Sequence, residues 1–185
     1  RRRDRQGGHA VTLYLGIDLG IHLAATAVDD DLACQWTYYR KRPDGETHID
    51  AIGAFLDTFV AWFETQRIEG ALFCAERTWL NTGRGRIDPR DLFPLAEQLG
   101  FLTCWLTDVF GEQSPFTVED SAAMARETGI HKDRREEIMP TIISGIDWTP
   151  FLGKRGGREA IPHLSDSAYL AFVCHRQATW ARKLE

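Results

Sequence analysis

The stretch that decides the fold is Leu13-Tyr14-Leu15-Gly16-Ile17-Asp18-Leu19-Gly20. Leu13, Leu15 and Ile17 fall on one side of an extended chain, and Tyr14, Gly16 and Asp18 fall on the other, which is the period of a strand. The strand ends on a carboxylate, and burying a carboxylate is costly unless something compensates its charge. Two other segments carry an acid at the same kind of boundary. The apolar run Ala71-Leu72-Phe73-Cys74-Ala75 leads into Glu76, and a late helix opens with His163-Leu164-Ser165-Asp166.

Outward from this strand, Ala24 to Val28 reads as a second strand closed by the polar turn Asp29-Asp30-Asp31, and Cys34 to Arg40 as a third. Short turns between them predict an antiparallel meander. Pro43-Asp44-Gly45 punctuates the chain. His48 to Gln66 then carries Ile52, Leu56, Phe59 and Phe63 at helical spacing, one face of an amphipathic helix. Ala71 to Ala75 suits a short buried strand of the parallel type.

A Gly- and Arg-rich loop from Thr78 to Arg90 precedes a helix that starts near Asp88-Pro89 and runs to about Phe110, or breaks at Gly100. Pro115 to Val118 reads as a fifth strand. Ser121 to Thr128 and Arg134 to Ile143 read as short helices, Pro150 to Pro162 as a mobile loop, and about Ser165 to Arg182 as the last helix. The order predicts an α/β domain: a mixed five-stranded sheet, the three-strand antiparallel meander plus two parallel strands, with helices on both faces. A right-handed crossover through the first helix sets the fourth strand parallel to an earlier one. If that neighbour is the first strand, Asp18 and Glu76 sit side by side.

The chain has 185 residues, 43% hydrophobic and 26% charged, which suits one domain with a substantial core. Residues 1 to 10 read as a flexible basic arm or a processing remnant, and 11 to 185 as a single domain. No apolar run reaches the ~20 residues of a membrane span. Cys34, Cys74, Cys104 and Cys174 are widely spaced without a C-x-x-C pair, which favours reduced thiols and an intracellular, reducing compartment. A net charge of −5 is the wrong sign for a simple nucleic-acid coat, so any DNA contact requires a local basic patch.

Asp18, Glu76 and Asp166, with His163 three residues before the last, suit a divalent-metal phosphodiester site. Two Mg²⁺ ions about 3.5–4 Å apart generate a nucleophile and stabilise both reacting oxygens, and magnesium prefers oxygen ligands. On this reading Asp18 bridges the ions, Glu76 holds one and Asp166 the other, while His163 ligates or positions the attacking water. Gly16 leaves room beside Asp18 for metal or phosphate. Arg84 and Arg86, then Lys132, Arg134 and Arg135, and finally Lys154, Arg155 and Arg158 are candidates for phosphate-backbone contacts.

Gly16-Ile17-Asp18-Leu19-Gly20, Glu76 followed by an aromatic at Trp79, and His163-x-x-Asp166-Ser167-Ala168 resemble the RuvC-type Holliday junction resolvases of the ribonuclease H-like superfamily. Pro115-Phe116-Thr117-Val118 resembles that family's fifth strand, and Thr128 to Arg135 resembles its basic segment after that strand. The last motif departs from the family pattern, since Ser167 stands between Asp166 and Ala168. The resemblance implies a homodimeric endonuclease dependent on Mg²⁺, with Mn²⁺ as a substitute, that nicks opposed strands of a four-way DNA junction. It implies catalytic and metal roles for Asp18, Glu76, His163 and Asp166. Trp79 becomes the aromatic that probes the junction centre, and the segment Arg90 to Phe110 the dimer contact. Competing readings are a viral DNA-packaging nuclease domain, a catalytically silent junction-binding module, and an actin-like or sugar-kinase nucleotide domain. The last is disfavoured by the absence of a hydroxyl-rich hairpin after Gly20.

Overall fold

In the computed structural model the described residues are 11–66, 68–76, 89–110, 116–119, 121–152 and 158–183. The strands are β1 (Val11–Asp18), β2 (His22–Val28), β3 (Cys34–Lys41), β4 (Ile68–Glu76) and β5 (Phe116–Glu119). The helices are α1 (His48–Phe63), α2 (Pro89–Phe110), α3 (Ser121–Thr128), α4 (Arg135–Ile142) and α5 (Ala160–Arg182). One sheet holds all five strands in the order β3-β2-β1-β4-β5. β1 pairs antiparallel with β2 and parallel with β4, and β4 pairs parallel with β5. This is the mixed sheet that the sequence predicts.

The alternation in β1 sorts the two cores. Leu13, Leu15 and Ile17 face α1 and α2, where they pack with Ile52, Phe55, Phe59, Leu102 and Leu106, all buried. Trp36 stacks on Trp62 there, centroids 5.4 Å apart, and Phe59 meets Trp36 edge-on. Tyr14 faces the other way, into a core formed with Met124 of α3, Met139 of α4 and Ala168, Tyr169 and Ala171 of α5. Thr47 caps α1 through a reciprocal capping box with Asp50.

The structure corrects the reading of Gly16. A Cβ there would lie 2.1 Å from the Ser167 carbonyl oxygen and 2.2 Å from the Ala171 amide nitrogen, both backbone atoms of α5. The missing side chain admits the helix, not a metal or a phosphate. Ala168 and Ala171, fully buried, keep the helix side of the contact equally thin. Ser167 is also explained by this packing: its hydroxyl lies 2.8 Å from that of Thr26 on β2 and donates to the Leu164 carbonyl at 3.0 Å. Both hydroxyls are satisfied in a buried seam that alanine would leave with an unpartnered Thr26.

α5 begins at Ala160, five residues before the expected start, because Pro162 is tolerated in a first turn whose amides lack intrahelical partners. The expected loop Pro150 to Pro162 therefore shrinks, and a short 3₁₀ turn at Thr149–Phe151 occupies its start. α2 continues through Gly100 unbroken, and α1 stops at Phe63. All four cysteines are free, Cys74 and Cys174 buried and Cys104 exposed. Among the described residues no helix is long and apolar enough to cross a membrane.

Gly16→Ala tests the close contact directly. The added methyl meets helix backbone that cannot rotate away, so the expected cost is about 3 kcal/mol or more, the upper end of overpacking. For a chain of this size thermal denaturation should register a fall of roughly 6–12 °C. An unchanged melting temperature would refute the packing described.

Candidate active site

The pairing of β1 with β4 carries Ile17 opposite Ala75, so the next residues, Asp18 and Glu76, emerge together at the strand ends. α5 crosses this end of the sheet and contributes Asp166. Ligand oxygens of Asp18, Glu76 and Asp166 lie within 4.8 Å of one another. His163 and Asp166, three apart, share one face of α5. The His163 imidazole Nδ1 lies 2.8 Å from Asp18 Oδ2. The structure thus brings all four sequence-read residues to one place.

Two cations that the sequence groups with surface DNA contacts sit here as well. The Arg135 guanidinium donates to Asp166 Oδ1 at 2.9 Å, and the Lys132 ammonium lies 2.9 Å from Asp166 Oδ2. Arg135 departs from the expectation of a surface cation. Its side chain is 1% exposed, and its guanidinium carbon sits 3.9 Å above the Tyr169 ring. It holds Asp166 in place from beneath and is closed to a nucleic-acid backbone. Lys132 remains exposed at the edge of the acids. Arg134 is exposed and pairs with Glu137, and Arg158 is exposed and pairs with Glu136. Trp79, Arg84, Arg86, Lys154 and Arg155 lie outside the described residues.

The electrostatics follow from this crowding. Burial pushes the Asp18 carboxyl above its usual range. The Asp166 charge adds to that shift, while the His163 hydrogen bond and Lys132 oppose it. Glu76 is also raised, first by burial and then by Asp18 and Asp166, against the pull of Lys132 and Arg135. For Lys132 burial acts downward, but the bond to Asp166 and the charges of Glu76 and Asp18 outweigh it, and the net shift is upward. Such a donor set, three carboxylates aimed at one point, fits a hard divalent cation, which prefers oxygen ligands. Arg135 and Lys132 occupy only the Asp166 side of the cluster, leaving Asp18 and Glu76 without a lysine or arginine partner within ion-pair distance among the described residues.

One residue escapes sequence reading. His22, after the Gly20 turn, stacks on His163 with centroids 4.5 Å apart and planes 7° off parallel. Its Nδ1 lies 2.7 Å from the Tyr39 hydroxyl, so the pair of rings is anchored to β3. Nothing local in the sequence marks this contact; it arises because β2 starts beside α5.

No known family profile matches the chain, and no characterised protein matches it by sequence. The fold does have solved counterparts. A structure described as T. thermophilus RuvC in complex with Holliday junction substrate superposes with a TM-score of 0.61 at 17% identity, covering 95% of this chain and 96% of that one. A second Thermus thermophilus RuvC structure gives 0.58 at 16%, covering 92% and 96%. The resemblance read from the motifs therefore holds as a likeness of fold across nearly the whole chain.

Opposite stability effects are expected within this one cluster. An acid whose folded pKa exceeds its unfolded one binds more protons when folded, so stability falls as pH rises through that interval. The metal-free protein should accordingly lose stability as pH climbs above the ordinary carboxylate range, where Asp18 and Glu76 are forced to ionise. Asp18→Asn should then raise the melting temperature at neutral pH by a few degrees. Asp166→Asn should lower stability by about 3 kcal/mol, because it removes the carboxylate that compensates the buried Arg135 charge. Calorimetry in EDTA reads both signs, and equal shifts for the two variants would contradict the charge layout.

Proposed function

We propose that this chain is a metal-dependent endonuclease that acts on branched DNA, cutting four-way junctions by paired nicks. The observation that carries the reading is the convergence of Asp18, Glu76 and Asp166 within 4.8 Å at the end of a sheet of this topology. Gathering three oxygen donors costs stability through mutual repulsion, and among the described residues lysine and arginine pair only with Asp166 of the three. The three acids suit a centre of two Mg²⁺ ions, or Mn²⁺. Such ions, when bound, supply a nucleophilic water and neutralise charge on the attacking and leaving oxygens.

The roles of the residues reflect their surroundings. Asp18, at the end of the central strand, would be the shared ligand, with Glu76 and Asp166 completing the set that would hold the ions. Arg135 clamps Asp166 Oδ1 and directs the carboxylate toward the cluster. His163 holds Asp18 through its Nδ1 and presents its remaining ring edge for a water or a metal. Lys132 is placed to neutralise an incoming phosphate, and Arg134 to touch the backbone farther out, with the salt dependence expected of such contacts. Trp79, Arg84 and Arg86 come directly after β4 in sequence, and we assign them to the same DNA surface; base stacking on an aromatic contributes about 1–3 kcal/mol.

A homodimer fits this reading, with α2 as its contact. Phe93 at 69%, Phe101 at 37% and Val109 at 53% exposure leave apolar surface on that helix beyond what the sheet covers. Residues 11 to 185 act as a single nuclease domain, and the free thiols suit a reducing, intracellular setting. Support for branched DNA as substrate comes from the counterpart described in complex with a Holliday junction.

Asp18→Asn should reduce Mg²⁺-dependent nicking of a synthetic four-way junction by at least about 10³-fold, while junction binding in Ca²⁺ persists. The informative comparison runs wild-type cleavage on a junction, a linear duplex and an RNA–DNA hybrid side by side. A preference for the hybrid would replace this reading with a ribonuclease, and equal cleavage by the Asn variant would remove the metal assignment.

A further inference from the structure

A cavity of about 460 Å³ opens beside the acids. That volume falls within the roughly 300–1,000 Å³ typical of small-molecule sites. Asp18, His163 and Lys132 line it on the side of the cluster, but Glu76 and Asp166 do not, so it leads away from the centre of the acids. Its course is set by the β1–β2 turn and the β3–α1 connection, which supplies Arg42, and by the first residue of α1, His48. Ile21 and Leu95 give it an apolar wall, and Ile21 is 53% exposed, an uncovered aliphatic surface beside a polar cluster.

Arg42 is the telling residue. It comes after two other cations, and both of those are neutralised: Arg40 pairs with Glu46 at 2.7 Å and Lys41 with Glu159 at 2.7 Å. Arg42 has no carboxylate within ion-pair distance among the described residues. Its guanidinium donates to the backbone carbonyl of Glu46, and its amide donates to the Ile21 carbonyl at 2.8 Å. The side chain is therefore held against the cavity, half-buried, with its charge uncompensated. Arg42 Nε and His48 Nδ1 are both enclosed without a hydrogen-bond partner among the described residues. A cavity lined by a cation without a carboxylate partner among the described residues, beside an apolar wall, is arranged for an anion attached to something apolar. Burial and the Arg42 charge lower the His48 pKa, against Glu97 of α2, which favours the uncharged imidazole.

We propose that this cavity is a nucleotide subsite: it receives the nucleotide adjoining the cut phosphate, with sugar and base edge against Ile21 and Leu95 and the next phosphate on Arg42 and His48. The inference rests on the nuclease reading and extends it. Two phosphates are then gripped, one at the acids and one across the cavity, and the strand's path through the site is defined by the chain's own residues.

Thymidine 3′,5′-bisphosphate and thymidine 5′-monophosphate, titrated in Ca²⁺ by calorimetry, test it. Wild type should prefer the bisphosphate by about tenfold, the amount expected of one charge-assisted hydrogen bond. Arg42→Gln keeps a donor for the Glu46 carbonyl but removes the charge, and should erase the preference. His48→Gln provides the same comparison if the first variant fails to fold by circular dichroism. Equal affinity for the two ligands in wild type, or a preference that survives in the variant, overturns the subsite. Junction cleavage by wild type, measured in parallel, separates the two readings. Cleavage without the preference removes only the subsite, and the preference without cleavage removes only the nuclease.

Discussion

The close seating of α5 against β1 at Gly16 is the constraint on which the site depends. Helix and strand backbones meet there with no side chain between them, the Ser167 carbonyl lying where a Cβ would stand. That contact sets the height of α5 above the sheet, and with it the reach of Asp166 and His163 toward Asp18. A helix lifted by the width of a methyl group would carry both side chains away from the strand end, and short carboxylates cannot make up the distance. The Thr26–Ser167 hydroxyl pair at 2.8 Å locks the sliding direction of the same contact. Packing and chemistry are thus determined at adjacent residues of one helix.

Charge is the second constraint. Three carboxylates in one place repel, and the protein answers asymmetrically. Among the described residues Asp166 receives both Arg135 and Lys132, whereas Asp18 receives an imidazole and Glu76 more distant cations. Burial first, and then the charges of the neighbouring acids, raise the pKa values of Asp18 and Glu76. A structural ion-pair network would have neutralised all three. The imbalance leaves a net demand for positive charge on one side of the cluster, which is what a metal-binding reading requires. Arg42 repeats the pattern with opposite sign, a cation without a carboxylate partner among the described residues where a phosphate is proposed to rest.

Much of this architecture is legible from local pattern. Period-2 alternation in β1, helical spacing in α1 and the meander turns of Asp29-Asp30-Asp31 are short-range signals, and each element forms where they point. The start of α5 is not legible, because Pro162 and the charged residues before it read as loop until the helix packs. Arg135 reads as one member of a basic run, and only burial beneath Asp166 separates it from Lys132 and Arg134. His22 is equally silent, since its partner, His163, is far away in sequence.

The sequence by itself determined the elements, their order, the mixed sheet, and which acids stand at element ends, because periodicity and turn chemistry act over a few residues. Tertiary structure alone decided that these acids meet, that Gly16 serves a helix and not a ligand, and that Arg135 belongs under Asp166. Those outcomes depend on contacts between residues as far apart as Asp18 and His163, and such distances carry no local pattern. They become definite only when two backbones pack closely enough to exclude everything else.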